Sequence, residues 1–569
     1  MTLAAAGQLL IFLALLLATV RPLGRYMHHV FAGEFTPLSP LLRPVETTLY
    51  RLAGVHPAEE QGWHGYALSF MVFHLPGTLL LYALLRLQDV LPFNPAGQSS
   101  VSPELALNTA VSFATNTSWQ SYAGEATLSH LSQMAGIAVQ SFLSAAAGIA
   151  VAMALIRGFA RRGTGTVGNF WADVTRATLY VLLPISLLAV LVLAWQGVPQ
   201  TLAGPVTAVT LEGTKQAISL GPVASQEAIK LLSGDGGGFF NAQSAHPFEN
   251  PTTLTNLLGI LLMPLLGAAL TNTFGRMIGD EREGWALLTA MLLLLLAGAV
   301  VLQVVESGGN PLLAASGIDQ HLGNLEGKEL RFGVSGSALF SELATATSSG
   351  AVNAMHDSYL PLSGLVLLSN MMLDEVIIGG PGSGLFGMLL FAVVAVFVGG
   401  LMIGRTPEYV GNKIEAREIK MAMLAILVVP AVLLSLVALA VVIPAGLAGL
   451  GNSGPHGYEE LLYAYTSAAN TNGSSFAGLS TNTPFYNLTL ALAMATGRFM
   501  VAVPVIALAG SLATKRRVAP SLGTLPTTGP IWLGLLLGVI IIVGGLTYFP
   551  ALALGPVAEH IAMLRGTIF

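Results

Sequence analysis

The chain of 569 residues contains no cysteine and very little charge. The absence of cysteine excludes disulfides, thiolate metal sites and cysteine nucleophiles, although it does not identify the compartment. Only 9% of the residues are charged and 53% are hydrophobic, whereas soluble chains carry about 25% charged residues. This composition is typical of an all-α protein that crosses a membrane many times.

Motifs for nucleotide chemistry are missing as well. The chain has no GxxxxGK[ST] loop for binding phosphates and no Asp-Lys-Thr-Gly phosphorylation motif. No soluble stretch is long enough for a nucleotide-binding domain. We therefore expect no catalytic site and no bound nucleotide in this chain, so any energy that its function requires must come from elsewhere.

Ten apolar stretches are long enough to form transmembrane helices. The first has no preceding basic residue and no clear cleavage site, so it is predicted to be retained rather than removed as a signal peptide. The seventh is too long for one span, and its glycine-rich segment 374–384 should break the helix within the membrane. The ten stretches lie at about 3–20, 66–86, 131–156, 174–196, 253–274, 285–305, 362–404, 419–447, 486–513 and 530–554.

The basic residues predict the orientation. Most of the 24 Lys and Arg residues fall in the inner loops if the N-terminus lies outside, and both termini are then outside. The piece 37–55 of the first inner loop mixes apolar residues with Arg43 and Arg51. It either lies along the inner membrane surface or forms a plain cytoplasmic loop.

Four outer connections share one plan, in which a stretch long enough for half a helix is followed by a polar or glycine-rich turn. In the first of them Ser102 suits a helix N-cap and Pro103 suits the first helical turn. The equivalent turn positions Ser118, Gly236, Gly350 and Gly473 are separated by 118, 114 and 123 residues. Such spacing indicates an internal repeat. The four outer connections are 87–130, 197–252, 306–361 and 448–485.

The repeat predicts four helix–pore loop–helix units around a central pore. We expect an N-terminal helix with its inner loop before the units and a single helix after them. The third unit should contain the broken second helix. The predicted divisions are 1–65, 66–165, 166–282, 283–418, 419–517 and 518–569.

The turns offer oxygen ligands. In the stretch 233–241, glycines let backbone carbonyls converge on a small ligand, although an ordinary flexible loop is the alternative for that stretch alone. Each half-helix would point its negative C-terminal end at the membrane centre. Oxygen ligands suit hard cations. Because only one turn in four carries an acid, Asp235, a monovalent cation is favoured; Asp235 either faces the ion or is hydrogen-bonded beside it.

Three stretches closely resemble a known family. They resemble the second, third and fourth filter regions of the potassium-binding A subunit of the bacterial Kdp potassium-transporting ATPase. The length, the ten spans and the four repeats agree with that family over the whole chain. The three stretches are GGGFFNAQSAHPFENP at 236–251, TSSGAVNAMHDS at 347–358 and NGSSFAG at 472–478.

The resemblance implies a channel-like subunit, related to Trk and Ktr transporters, that takes up K⁺ from outside across the bacterial inner membrane. It implies that K⁺ passes to a P-type ATPase B subunit, with small C and F subunits completing the complex. Gln120, Asn241 and Asn353 would support the filter. The implied filter positions are Asn116, Thr117, Ser118, Gly234, Asp235, Gly236, Ser348, Ser349, Gly350, Thr471, Asn472 and Gly473.

Two features need separate comment. The first is Gly234-Asp235, where the family commonly has Thr-Asn; this difference affects the expected affinity and selectivity for the ion. Arg498 lies within a span, where a charge is costly. It either opposes cation leak below the filter or pairs with a buried acid, for instance Asp374 or Glu375.

The helix break itself has two interpretations. Its glycines, Gly379, Gly380 and Gly382, either form a movable gate below the filter or produce a passive kink. We interpret His246 and Glu249, which follow the second filter, mainly as scaffolding.

The pair His356-Asp357 is interpreted as hydrogen-bonded structure, because two residues are too few for a metal site.

Other functions remain open from sequence. A stand-alone Trk-like channel or a secondary K⁺ or Na⁺ transporter would also contain filters and would differ by lacking an ATPase partner. A membrane enzyme would need clustered titratable groups on facing helices, which the sequence does not indicate. We expect contacts with membrane lipids and none with nucleic acid.

Overall fold

The computed structural model describes residues 3–373, 376–516 and 524–567. Ten helices in these ranges are long and apolar enough to cross a membrane, which confirms the predicted number. The predicted break of the seventh stretch is also present, because two helices, Pro361–Met372 and Ser383–Ile403, replace one. The ten membrane helices are Ala5–Ala32, Trp63–Leu87, Ser132–Ala160, Phe170–Trp195, Thr253–Ile278, Glu281–Ala315, Ser383–Met402, Ala416–Ala440, Pro484–Ala513 and Pro530–Leu564.

The secondary structure is almost entirely helical. The α-helices are α1 (Leu3–Ala32), α2 (Ser39–Ala53), α3 (Trp63–Leu87), α4 (Pro103–Ala114), α5 (Gly124–Thr127), α6 (Val139–Ala160), α7 (Phe170–Arg176), α8 (Leu183–Trp195), α9 (Val223–Leu232), α10 (Thr253–Ile278), α11 (Glu281–Ser307), α12 (Pro311–Ala315), α13 (Gly333–Ala346), α14 (Pro361–Met372), α15 (Ser383–Ile403), α16 (Ala416–Ala440), α17 (Pro444–Leu447), α18 (Gly454–Ala469), α19 (Pro484–Ala513), α20 (Pro530–Leu552) and α21 (Ala558–Leu564). Six short strands pair as antiparallel hairpins or bridges: β1 (Gln61–Gly62) with β2 (Thr166–Gly168), β3 (Val206–Val209) with β4 (Lys215–Ile218), and β5 (Glu408–Tyr409) with β6 (Asn412–Lys413).

Four half-helices, which we call the pore helices, lie between membrane helices as the repeat predicts. They are α4, α9, α13 and α18, and each ends just before one of the predicted turns. Pro103 occupies the first turn of α4, as expected. Ser102 is at the N-cap position, as predicted, although its side chain accepts no capping hydrogen bond.

The membrane helix that follows each of the first three pore helices is largely buried, whereas α19, after the fourth, is half buried. The most apolar windows of α10, α15 and the helix containing α6 are 67%, 78% and 83% buried, against 22% for α1, α3 and α20. Helix α6 packs against α10, α15 and α19. The contact with α19 is close, because a Cβ at Gly158 would lie 2.7 Å from the Ala509 carbonyl oxygen. The outer helices therefore present their apolar surface to lipid.

The first inner loop contains a helix, α2. Its apolar side chains Leu41, Val45, Leu49 and Leu52 follow a helical spacing and are exposed. A stripe of this kind fits the interpretation that the segment lies along the membrane surface better than it fits a plain loop.

The opposite face of α2 is fixed to the membrane helices through Glu46. Its carboxylate accepts hydrogen bonds from Tyr50 (2.9 Å), Tyr180 (2.8 Å) and Arg176 (3.1 Å). Burial disfavours the ionised carboxylate, but these three hydrogen bonds outweigh burial and lower the pKa of Glu46 below its usual value. The ionised form of Glu46 therefore holds α2 in place.

We expect Glu46→Gln to loosen α2, because the Arg176 guanidinium loses its anionic partner. Hydrogen exchange of residues 39–53 should become faster, whereas Glu59→Gln, at an exposed position nearby, should leave it unchanged. Because the folded-state pKa is lowered, the contribution of Glu46 is present above the ordinary Glu pKa of about 4.3 and lost as pH falls through the lower folded value. In strong acid, residues 39–53 of wild type and of Glu46→Gln should therefore exchange at the same rate. A difference that persists there would contradict this role.

Candidate functional site

The four turns that follow the pore helices meet one another. We call them the filter turns: 116–118, 234–236, 348–350 and 471–473. The Asn116 side-chain amide donates to the carbonyl of Gly234 at 3.2 Å, which joins the first turn to the second. The Ser349 hydroxyl donates to the carbonyl of Asp235 at 2.8 Å, which joins the third turn to the second. All twelve predicted filter residues are buried.

Close glycine contacts complete the ring. A Cβ at Gly236 would lie 2.6 Å from the backbone nitrogen of Gly350, and one at Gly350 would lie 2.7 Å from the carbonyl carbon of Gly473. A Cβ at Gly473 would collide with the carbonyl oxygen of Thr117. The second turn thus touches the third, the third touches the fourth, and the fourth touches the first. The four turns form a closed ring around one axis.

The backbone repeats from turn to turn. Asn116, Gly234, Ser348 and Thr471, the first residues of the filter turns, have φ angles of 61°, 57°, 55° and 59°. Short polar side chains tolerate this left-handed conformation better than branched apolar ones. These positions are separated by 118, 114 and 123 residues, the same spacing as the predicted equivalent positions. The predicted alignment of the four turns therefore agrees with their geometry.

The pore helices end in a shared way. The N–H groups of Thr117, Asp235 and Asn472 each donate to the carbonyl five residues earlier, at 2.9, 3.1 and 2.9 Å. This bond closes the last turn of each of these helices and leads the chain away from the helix axis. The C-terminal ends of the helices, which carry partial negative charge, therefore lie at one end of the ring. We call this end, which faces the membrane interior, the inner end of the ring.

The carboxylate of Asp235 is fully buried beside the second filter turn. Neither of its oxygens has a hydrogen-bond donor within the described part of the chain, and the nearby hydroxyls of Ser118 and Ser141 donate instead to the carbonyls of Thr117 and Ile137. Ser141 belongs to α6, the inner helix behind the first turn. The side chain of Asp235 thus lies among hydroxyl groups at the boundary between the ring and α6.

The three predicted supporting residues differ in position. The Gln120 side-chain amide makes two hydrogen bonds with the backbone of Gly238. It accepts from the Gly238 N–H at 3.1 Å and donates to the Gly238 carbonyl at 3.2 Å. Asn353 is buried and donates to Asn256 of α10 at 2.9 Å. Asn241 is exposed at the rim. Gln120 and Asn353 therefore contact the scaffold of the ring, whereas Asn241 lies at its edge.

A buried cluster that the sequence did not reveal braces the second turn from behind. Lys230 of α9 forms ion pairs with Glu227 and with Glu249, the latter at 2.8 Å, and all three side chains are at most 2% exposed. Glu249 also accepts the N–H of Phe240 at 2.8 Å. The ring of His246 stacks on Phe240 at 3.8 Å. The scaffolding interpretation of His246 and Glu249 agrees with these contacts.

The count of basic residues does not reveal that Lys230 is buried. The signal that would have identified it is the three-residue spacing from Glu227 within a partly apolar half-helix, which places opposite charges on one face.

The glycine-rich break lies against the inner end of the ring. The N–H groups of Ile378 and Gly379 donate to the last carbonyl of the third pore helix, that of Ala346, at 3.1 and 2.9 Å. The N–H of Gly380 donates to the Ser348 hydroxyl at 3.2 Å. A Cβ at Gly382, whose φ is 103°, would collide with the carbonyl of Gly148. Glycine is therefore needed for this loop to pass between the ring and α6.

Arg498 also lies at this inner end. Its guanidinium is buried and donates to the Ser144 carbonyl at 2.5 Å, and the Ser144 hydroxyl donates to Asn116 at 2.8 Å. Arg498 and Thr471 line the same small cavity. Ser144 thus links Arg498 to the first filter turn, a role that nothing in the sequence indicated.

Two residues proposed as partners of Arg498, Asp374 and Glu375, lie outside the described residues.

His356 and Asp357 have different partners. The imidazole of His356 is buried between Tyr463 (2.7 Å) and Ser341 (3.0 Å). Asp357 contacts His456 at 3.0 Å. The two neighbours do not form a common site, which agrees with the interpretation that His356 is structural.

Four re-entrant half-helices around a ring of buried turns define a channel-type cation-transporter fold. The structure is similar to that of the potassium transporter TrkH from Vibrio parahaemolyticus, with a TM-score of 0.51 at 15% identity, over 88% of this chain and 97% of that one.

The family model for the potassium-transporting ATPase A subunit matches residues 10–561, and the chain belongs to this family. It is 61% identical over 569 residues to a protein of Methylorubrum populi, covering 100% of this chain and 99% of the relative. A protein of Rhodopseudomonas palustris is 60% identical, with 99% of each chain covered. Both relatives are named potassium-transporting ATPase potassium-binding subunit.

We expect Lys230→Met to destabilise the protein strongly. Removing one partner from a buried ion pair costs about 3–5 kcal/mol, because the remaining charge is left uncompensated. The purified protein should unfold at a lower temperature than wild type. Lys215→Met, at an exposed position in the hairpin of β3 and β4, is the matched control, and equal stability of the two variants would contradict the bracing role.

Proposed function

We propose that this chain is the potassium-binding, non-catalytic subunit of an ATP-driven K⁺ uptake pump. It takes K⁺ from the outer side into the filter turns and passes it to an ATP-hydrolysing subunit. The observation that carries the proposal is the closed ring of four buried turns. The names of relatives about 60% identical over the whole chain support K⁺ as the ion.

The filter turns supply the ligands in this proposal. Their buried backbone carbonyls, with the hydroxyls and amides around them, replace the hydration shell of the ion. The four helix ends add negative potential at the inner end of the ring. The buried Asp235 carboxylate, which has no hydrogen-bond donor within the described residues, either faces the ion or lies beside the filter.

The glycine-rich loop and Arg498 form the gate in this proposal. The loop contributes Gly379, Gly380 and Gly382 directly below the third turn, where it closes the inner end. Arg498 places a positive charge at the same level, which opposes the passage of a cation. Both contact the ring or α6 through hydrogen bonds that a small displacement would break.

The proposal extends to the assembly and to the placement in the cell, which the family membership supports. We infer that the partners are the P-type ATPase B subunit and the small C and F subunits of a Kdp complex. The chain lies in the bacterial inner membrane with both termini on the periplasmic side, since that orientation places most basic residues inside. The four units are divided at 66–165, 166–282, 283–418 and 419–517.

A stand-alone Trk-like channel or secondary transporter is the alternative, and the likeness to TrkH is one of fold alone. The two differ in energy source. Uptake that requires a co-purified P-type ATPase and ATP supports the pump, whereas uptake by this chain alone supports the channel.

We expect Gly236→Ser to weaken K⁺ binding about tenfold or more, which corresponds to about 1.4 kcal/mol. The added Cβ would push against Gly350 and displace the carbonyls of two turns. K⁺ uptake should be measured in a potassium-uptake-deficient bacterium, together with selectivity against Rb⁺ and Na⁺. Gly534→Ser is the matched control, because a Cβ at Gly534 has no neighbour within 4 Å among the described residues. Unchanged affinity and selectivity in an assembled Gly236→Ser complex would remove Gly236 from the ion site.

We expect Arg498→Gln to admit K⁺ without ATP. A unit charge at about 4 Å opposes a cation by about 4 kcal/mol at an effective dielectric of 20, so ATP-independent Rb⁺ flux should rise about tenfold or more. Flux into vesicles that contain the purified complex measures this directly. Arg498→Lys, which keeps the charge, should leak far less. If both variants leak equally, the hydrogen bond to Ser144 matters and the charge does not.

A further inference from the structure

A cluster of one imidazole and four carboxylates lies outside the filter, where three segments meet. Asp357 follows the third filter turn. His456, Glu459 and Glu460 lie in the first half of α18, the fourth pore helix, and Glu559 lies in α21 near the C-terminus. None of these groups belongs to the ring of turns, so their convergence needs a separate explanation.

The imidazole of His456 lies between two carboxylates. Its Nε2 is 3.0 Å from Asp357 Oδ1, and its Nδ1 is 2.9 Å from Glu559 Oε1. Two ligands at 2.0–2.1 Å from one tetrahedral zinc ion are about 3.3 Å apart, close to the first of these separations. A histidine that binds metal typically gives its other ring N–H to a carboxylate, which is the position of Glu559.

Glu460 supplies a third oxygen at the same point. Ligand atoms of Asp357, His456 and Glu460 all lie within 4.8 Å of one another. A Cβ at Gly478 would collide with Glu460 Oε1 and lie 2.8 Å from Asp357 Oδ1. The two carboxylate oxygens therefore converge beside a residue that has no side chain to fill the space between them.

Glu459 shows that the negative charge is not balanced. Its side chain is 1% exposed, and within the described part of the chain neither carboxylate oxygen has a hydrogen-bond donor. A buried carboxylate without a hydrogen-bond donor is costly unless a cation lies nearby. This is an observation independent of the spacing of the three ligands.

The cluster is accessible. Asp357, His456 and Glu559 line a surface pocket together with Glu326 and Asn452. The pocket lies at the N-terminal end of the fourth pore helix, which is the outer side in the proposed orientation. An ion from outside therefore reaches the cluster without entering the filter.

We propose that Asp357, His456 and Glu460 bind a divalent transition-metal ion, with Glu559 orienting the imidazole. One imidazole with two carboxylates is a donor set that suits Zn²⁺ and does not suit K⁺. The ion would join the segment after the third filter turn to the fourth pore helix. The site is separate from the filter, so the inference does not depend on the proposed K⁺ function.

The test measures Zn²⁺ binding to the purified, chelator-treated complex by isothermal titration calorimetry at pH 8. We expect saturable binding of one Zn²⁺ per chain. His456→Gln and Asp357→Asn should each weaken it about tenfold or more, and Glu559→Gln about 10–100-fold. His321→Gln is the matched control, because His321 contacts Asp319 at 2.6 Å on the exposed surface, away from the cluster. This control should bind Zn²⁺ as wild type does.

Two results would overturn the site: no saturable Zn²⁺ binding to the wild-type complex, or binding that His456→Gln and Asp357→Asn leave unchanged. If these variants fail to assemble, the visible spectrum of Co²⁺ bound to the unmodified complex decides. A four-coordinate spectrum that Zn²⁺ abolishes supports the site. An octahedral spectrum, or none, would overturn it.

Discussion

The structure depends on one constraint: four non-helical turns must stay ordered in the interior of a membrane protein. Backbone groups there have no water to bind, so they must bind one another, a side chain or an ion. The turns meet this constraint by contact between neighbours, through Asn116, Ser349 and the close approach of Gly236, Gly350 and Gly473. Because each turn contacts the next, a change in one is transmitted to the others. The surrounding helices act as a frame that fixes these distances.

Buried charge completes this frame. The outer connections carry ion pairs that are shielded from water, including Lys230 with Glu249 and Lys328 with Glu306, which are 2.8 and 2.9 Å apart. In each pair the carboxylate also accepts a backbone N–H, from Phe240 or from Leu360. A buried pair of this kind adds little net stability over an apolar contact, but it tolerates few alternative arrangements. Such pairs are suited to fixing the register of loops that have no regular secondary structure.

The sequence was sufficient to predict features with a period or a composition of their own. The ten spans, the break near Gly380 and the spacing of the four turns follow from hydropathy, helix-breaking residues and repetition. Contacts between distant segments were not predictable. Ser144 is an ordinary serine in an apolar helix, and its bonds to Arg498 and Asn116 exist only because α6 and α19 pack together. Counting the basic residues likewise does not reveal that Lys230 is buried.

The inner end of the ring explains why a chain without an energy source fits a pump. The glycine-rich loop is held by three backbone N–H groups: those of Ile378 and Gly379 donate to the end of the third pore helix, and that of Gly380 donates to the third turn. Each such bond contributes about 1 kcal/mol net, so releasing the loop costs on the order of 3 kcal/mol. In the proposed function, that cost keeps the loop closed almost all of the time, and a modest conformational change in a bound partner opens it. The filter and this closure then divide the work: this chain supplies selectivity, and a subunit that hydrolyses ATP sets the direction.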